Sequence, residues 1–191
     1  MSAQNDRSTP IPIDPEEAVS DFLTVAELLN EPSLARLYTY VLQHGPVKID
    51  DVKADLDLPH STTYKYLSRL EGMGVLTRQD DTRPTTVTAD PIRVPLHTDH
   101  GTVAATPVLV DAIGRQLEND DVRVFVERQG VAKLAAALHY TMRIADGELT
   151  QRTAAAKLGV HPVEGVTVFT ALLDVVDAAA SYDPYLNRSA E

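Results

Sequence analysis

The change from a helical period to a two-residue period within residues 46–90 constrains the fold of this 191-residue chain more than any other feature. Two β-prone segments, 75–78 and 85–88, enclose the stretch 79–84, which is rich in turn-forming residues. The upstream apolar positions with helical spacing are Val52, Leu56, Leu67 and Leu70. The segment therefore predicts two short helices joined by a tight turn at 57–60 and followed at once by a β-hairpin.

Helical spacing predicts further elements on both sides of this segment. Upstream, we expect an amphipathic helix from Glu16 to Leu29 and a second helix that Ser33 caps and that ends at His44. The helices expected downstream are 107–117, 120–128, 131–144, 149–158 and 162–179. The predicted fold class is mainly α, with a small β-hairpin in the N-terminal part and an all-helical C-terminal domain.

Proline and polar residues divide these elements into two predicted domains. The expected divisions are a flexible tail at 1–14, an N-terminal domain at 15–96, a linker at 97–106, a helical domain at 107–180 and a second tail at 181–191.

A faint internal similarity links the two halves at an offset of 102 residues. The matched apolar positions are Ala54 and Ala156, Leu56 and Leu158, Leu58 and Val160, Leu67 and Phe169, and Leu70 and Leu172. Two interpretations stay open. The C-terminal half holds a second, degenerate helix-turn-helix, or three packed helices give the same pattern without a repeat.

Composition and motifs exclude several classes of function. The absence of Cys excludes disulfides, thiolate nucleophiles and cysteine-ligated zinc. No apolar run approaches the roughly 18 residues of a membrane span, and the polar start is unlike a signal peptide, so a cytoplasmic protein is expected. No phosphate-binding glycine loop, nucleophile elbow or HExxH motif is present, so neither enzyme activity nor a cofactor is expected. For His97, Asp99 and His100, a polar loop is preferred over a metal site, and no metal is expected.

The net charge of −11 is unevenly distributed along the chain. Residues 33–98 carry eight acids and eight bases, whereas the segments on either side carry an excess of acids. Residues 59–70 contain no acid at all. The excess of Asp over Glu, 18 to 10, and of Arg over Lys, 12 to 5, resembles proteins of salt-accumulating haloarchaea, which implies a high-salt cytoplasm.

The segment GPVKIDDVKADLDLPHSTTYKYLSRLEGMGVLTRQDDTRPTTVTAD resembles winged helix-turn-helix regulators of the TrmB, MarR and ArsR types. The resemblance implies a sequence-specific DNA-binding transcription regulator. Its recognition helix, 61–72, is expected to enter the major groove of double-stranded DNA, with the wing, 75–88, on the adjacent backbone or minor groove.

The candidate DNA-binding side chains lie on the recognition helix and the wing. Their hydroxyl, ammonium and guanidinium groups suit phosphate oxygens and base edges. They are Ser61, Thr62, Thr63, Tyr64, Lys65, Arg69, Arg78 and Arg83. Alternative interpretations stay open for some of them, because Tyr64 and Thr63 could face the core and Ser61 could cap the helix. The wing could instead be a solvated acidic turn around Asp80 and Asp81.

The last predicted helix, 162–179, carries more apolar residues than a small domain readily buries. We therefore expect a homodimer on a roughly palindromic operator, with the leading helix, 16–29, able to join the interface. Burial of helix 162–179 within its own domain is the alternative.

A second class of function also fits a winged helix, since some winged helices bind only protein. The alternative function is a protein-protein interaction module of the transcription or chromatin machinery. The absence of acids from 59–70 in an otherwise acidic chain favours DNA. No small-molecule effector can be identified from the sequence.

Overall fold

The computed structural model describes residues 14–79, 84–98 and 101–186. Helices dominate these residues, and the predicted fold class is confirmed. The helices are α1 (Pro15–Asn30), α2 (Pro32–His44), α3 (Ile49–Asp55), α4 (His60–Gly72), α5 (Pro107–Gly114), α6 (Asp120–Gln129), α7 (Val131–Ala145), α8 (Gln151–Leu158) and α9 (Pro162–Ala179), with a 3-10 turn, Arg115–Leu117, after α5. Each predicted helix boundary agrees with the structure within two residues, apart from the 3-10 turn that ends the first downstream helix.

Local caps explain where several helices begin and end. The Asp14 carboxylate accepts a hydrogen bond from the Glu16 amide, and the Thr150 hydroxyl accepts one from the Thr153 amide. Gly159 ends α8 in the left-handed conformation, with a φ of 71°. The predicted cap of α2 is wrong, because the helix starts at Pro32, one residue before Ser33.

A three-stranded antiparallel sheet has the strand order β1-β3-β2, with β1 (Val47–Lys48) before α3, and with β2 (Leu76–Gln79) and β3 (Thr86–Ala89) after α4. β2 and β3 are the predicted hairpin. β1 pairs with β3 through Val47 opposite Val87. The sequence analysis missed β1 because two residues are too few to display an alternating period.

A second hairpin, β4 (Val94–Thr98) and β5 (Gly101–Ala105), occupies most of the predicted linker 97–106. The prediction of an irregular linker is therefore wrong. Pro95 and Gly101 favoured a connector, but proline is compatible with an edge strand, and both strands of a two-stranded sheet are edges.

The N-terminal and C-terminal helices share one continuous core, because α5 packs against α2. Every residue of α5 is buried. At Gly114, a β-carbon would lie 3.0 Å from the backbone of Arg36, so this glycine permits the close approach of the two helices. The predicted domain boundary thus separates two parts that pack directly on each other.

Residues 182–186, which the sequence analysis placed in a tail, instead pack onto the fold. Tyr182 and Asp183 are buried. The Asp183 carboxylate accepts hydrogen bonds from the Thr106 hydroxyl at 2.6 Å and the Val108 amide at 3.0 Å, and so caps the start of α5. The Tyr182 hydroxyl donates to the Asp111 carboxylate at 2.7 Å. The tail prediction is wrong here because these polar contacts, distant in sequence, leave no periodic pattern.

We expect Tyr182→Phe to lower the free energy of unfolding by about 2 kcal/mol at pH 7.5, because it leaves the buried Asp111 carboxylate without its hydroxyl donor. Burial raises the pKa of Asp111 above its usual 3.8, so the folded state binds more protons than the unfolded state above that pH. The contribution of Asp111 to stability therefore falls as the pH rises. The loss should be smaller at pH 4.5, where more Asp111 is protonated.

Urea denaturation at both pH values measures this effect. Tyr66→Phe is the matched control, since its hydroxyl has no hydrogen bond within the described residues. Equal losses in the two variants would contradict the role of the Tyr182 hydroxyl.

The helical pair α8–α9 has the offset that the faint similarity indicated. α3 and α4 start at residues 49 and 60, and α8 and α9 start 102 residues later, at 151 and 162. The axes of α8 and α9 make a bend of 111°. No strand follows α9 within residues 180–186. A degenerate second helix-turn-helix stays a prediction, now with matching helix positions.

Most of the apolar surface of α9 is buried within the fold of the chain itself. Val168, Phe169 and Leu172 are buried, and the exposed large apolar side chains of α9 are Val163 and Val166 near its start. The alternative interpretation, burial within its own domain, therefore holds for most of this helix. No single helix in the described part of the chain meets the length and hydropathy of a membrane span, although the bent α8–α9 pair does so jointly.

Candidate nucleic-acid interface

Apolar anchors on α3 and α4 determine which side of α4 faces outward. Four of these anchors are buried in the core: Val52 and Leu56 at α3 and its C-terminal end, and Leu67 and Leu70 on α4. The turn between the helices contains Asp57 in the left-handed conformation, with a φ of 49°. Because these contacts hold one side of α4 against the core, its opposite side faces solvent.

Over residues 60–70, the outward side of α4 is uncharged or basic. Ser61, Tyr64 and Lys65 are exposed, and Thr62 is half-buried. Lys65 forms no ion pair within the described residues. Ser68 is also exposed. Four predicted contact residues thus lie on or beside one accessible face.

Thr63 is the one predicted contact on α4 that the structure contradicts. Its side chain is fully buried, and its hydroxyl donates a hydrogen bond to the Pro59 carbonyl at 3.1 Å. A side chain in that position cannot reach DNA. The alternative given for Thr63, that it faces the core, is correct.

The first turn of α4 offers backbone donors. Pro59 occupies the N-cap position, no side chain caps the helix, and no acid lies in its first turn. Ser61 is therefore not the cap. Uncapped amide groups and the positive end of the helix dipole favour an anion such as a phosphate at this end.

Arg69 is held by an acid from another helix. Its Nε lies in direct contact with Glu27 of α1, and each of the two side chains is a little over one-third exposed. Arg69 faces the correct side for DNA, but any contact with a phosphate requires it to exchange partners. Sequence reasoning missed this pair, since the two residues are 42 positions apart.

Arg78 braces the wing against α4. Its Nη2 donates to the Glu71 carboxylate at 2.7 Å, and its guanidinium carbon lies 5.8 Å from the centroid of the Tyr64 ring. The side chain is 20% exposed. Arg78 thus orients Tyr64 and the wing, and its predicted DNA contact stays a prediction. Arg83, the other predicted wing residue, lies outside the described residues.

His60 is a functional candidate that the sequence analysis left in the turn. It is the first residue of α4, it is exposed, and its ring lies 4.5 Å from the Tyr64 ring, centroid to centroid. The i, i+4 spacing of the two aromatic residues was the available signal. The two rings, inclined by 31°, form an exposed aromatic pair at the N-terminal end of α4.

On the neighbouring helix, α3, a lysine also has an acid partner. Lys53 on α3 lies 2.9 Å from Asp50, and this contact holds the pKa of the Asp50 carboxyl below its usual range.

The described residues contain no group of three side chains that could hold a metal ion. Of the cluster considered in the sequence, Asp99 and His100 lie outside the described residues.

Two family models match different parts of the chain. Residues 34–93 match the family model described as the sugar-specific transcriptional regulator TrmB. Residues 116–181 match a family of unknown function, DUF7437. Neither a curated protein nor a solved structure matches the chain. Residues 34–93 therefore form a winged helix-turn-helix similar to that of the TrmB transcriptional regulators.

Proposed function

We propose that the protein regulates transcription as a homodimer that reads a roughly palindromic operator. Each subunit inserts α4 into the major groove and lays its wing along the adjacent backbone or minor groove. Ser61, Thr62, Tyr64 and Lys65 make the first contacts, and His60 joins them. Arg69 and Arg78 contribute where they can exchange or release their acid partners, and Arg83 is a further candidate from the wing.

One observation carries this proposal: residues 59–70, which include the first three turns of α4, contain no acid in a chain with a net charge of −11. All 28 acids of the chain lie outside this stretch. Phosphate groups repel carboxylates, so DNA binding supplies the reason. The uncapped first turn of α4 supports the same conclusion, because its amides suit a phosphate oxygen.

The homodimer is proposed to form through α1. One side of α1 is buried through Thr24, Val25 and Leu28. On the other side, Val19, Phe22 and Leu23 are 57%, 54% and 59% exposed. Large apolar side chains grouped in this way favour a second copy of the same helix. Because α1 contacts α4 through Glu27 and Arg69, such a dimer would hold two recognition helices in one fixed arrangement.

The working environment is proposed to be a cytoplasm of high salt concentration. The acidic flanks of the winged helix repel DNA at low salt, and the Debye length falls to about 3 Å at 1 M. Screening of these flanks therefore offsets part of the usual loss of phosphate binding at high salt.

Selection from random duplexes, followed by gel shifts at 0.1 to 2 M KCl, tests the proposal. We expect an enriched, roughly palindromic site and binding that survives in molar KCl. Recovery of no enriched duplex at any salt concentration would support the alternative, a winged-helix module that binds only protein.

We expect Glu27→Gln to raise the affinity for the selected duplex about three- to tenfold. The substitution releases Arg69 from its carboxylate partner and removes one negative charge beside the recognition helix. Glu17→Gln is the matched control, because it makes the same charge change at an exposed position ten residues away on α1. Gel shifts of both variants measure the effect, and equal gains would attribute it to net charge instead of to Arg69.

A further inference from the structure

A large cavity lies where the β4–β5 hairpin faces α5, α7 and the C-terminal segment. Its volume is about 790 Å³, within the range of roughly 300 to 1,000 Å³ that is usual for small-molecule sites. Its lining side chains are mostly apolar, and they include Val108, Leu109, Ala136, Leu138, Met142 and Leu186. The DNA interface does not include any of these residues.

The polar groups of the cavity are basic or neutral. Arg93 is exposed at its edge, with its guanidinium carbon 5.6 Å from the centroid of the Tyr185 ring. Arg93 forms no ion pair within the described residues. His139 lies on the same lining, and none of the described lining residues is an acid. In a chain with a net charge of −11, this combination of an apolar interior and an unpaired cation is unusual.

We propose that this cavity binds a small organic anion with an aliphatic or aromatic body. The apolar walls would cover the body of the ligand, and the Arg93 guanidinium would donate hydrogen bonds to its carboxylate or similar group. A sugar fits less well, because each buried hydroxyl needs a hydrogen-bond partner and the walls offer few. The family description of residues 34–93 therefore does not indicate the ligand of this cavity.

Hydrogen bonds connect the edge of the cavity to the winged helix. The Tyr38 hydroxyl on α2 donates to the Asp90 carbonyl at 2.8 Å and accepts from the Ile92 amide at 3.1 Å, so it ties the segment before Arg93 to the helical core. The Tyr185 hydroxyl donates to the Pro91 carbonyl at 3.1 Å. A ligand that favours one arrangement of these groups would change DNA affinity by the same factor as DNA changes ligand affinity. This coupling rests on the proposed function, whereas ligand binding does not.

Calorimetric titration of the full chain, without DNA, tests the site with octanoate as the probe. We expect octanoate to bind at least about tenfold more tightly than butanoate, because the added methylene groups are buried, and than octan-1-ol, which lacks the charge. Glucose should not bind. Arg93→Gln should weaken octanoate binding about tenfold without affecting octan-1-ol, and Ala136→Phe should block both by filling the cavity.

Two control variants match these changes outside the cavity. Arg152→Gln removes an exposed guanidinium from α8, and Ala156→Phe adds a ring to the exposed side of the same helix. Both should bind octanoate like the wild type. Circular dichroism establishes whether Ala136→Phe folds, and Arg93→Gln tests the site in either case.

Other results would overturn the proposal. These are no octanoate binding, octanoate binding that Arg93→Gln leaves unchanged, tighter binding of glucose, or a dimer that Ala136→Phe splits in sedimentation, which would make the cavity an interface between copies. A gel shift with and without octanoate then tests the coupling by itself. Ligand binding without any effect on DNA would leave the site in place and remove only its regulatory role.

Discussion

Lys65→Glu reduces the affinity for the selected duplex by about 30-fold or more in molar KCl. Lys65 is exposed on the outward face of α4, and no acid partner competes for it within the described residues. Reversal of its charge removes an attraction to phosphate or a base edge and adds a repulsion, and a dimer suffers this change twice. Gel shifts against the selected duplex and a scrambled duplex measure the change.

Lys157→Glu is the matched control for this variant. Lys157 is exposed on α8, so its reversal changes the net charge equally at a distance from the winged helix. Long-range charge effects are strongly screened in molar KCl, and we expect less than a twofold change. Unchanged DNA binding in the Lys65→Glu variant would reject the proposed orientation of α4.

Replacement of Phe22 and Leu23 by Asp converts the protein to a monomer and lowers its DNA affinity by about 100-fold or more. In a symmetric dimer, the two new carboxylates of each subunit lie opposite the same two carboxylates of the other subunit. The interface therefore gains four charges and loses its largest apolar side chains. A monomer cannot contact the second half-site. When each winged helix binds DNA weakly by itself, that second contact contributes most of the DNA affinity. Sedimentation at micromolar concentration and gel shifts in the same buffer measure both effects.

Val163→Asp separates the two possible interfaces. Val163 is 68% exposed at the start of α9, so it tests the helix that the sequence favoured for dimerisation. We expect this variant to remain dimeric and to bind DNA normally. A monomeric Val163→Asp variant together with a dimeric Phe22 and Leu23 variant would move the interface from α1 to α9.

Helix positions and the wing could be predicted from the sequence because each depends on neighbours within one or two turns. The period of the apolar residues located α4, and the absence of acids between residues 59 and 70 indicated its function. The side chains of α4 were harder to orient. Tyr64 and Ser68 lie on its exposed side and Thr63 lies in the core, although all three are adjacent to buried positions in the helical period.

Contacts between distant residues could not be predicted in this way. Glu27 and Arg69, Asp111 and Tyr182, and Thr106 and Asp183 are separated by 42, 71 and 77 residues. Each pair depends on how whole helices cross. The sequence around a polar side chain does not identify a partner that is distant in the chain. For the same reason, the sequence does not show that Arg69 and Arg78 already have acid partners.

The sequence by itself determined the order of the helices, the hairpin behind the recognition helix and the absence of acids from residues 59–70, because these follow from local period and local charge. The tertiary structure alone decided which basic side chains are already paired, which helix retains an exposed apolar face and where a cavity remains. Those properties depend on the relative orientation of helices distant in sequence. That orientation follows from the packing of the whole core, to which every buried side chain contributes at once.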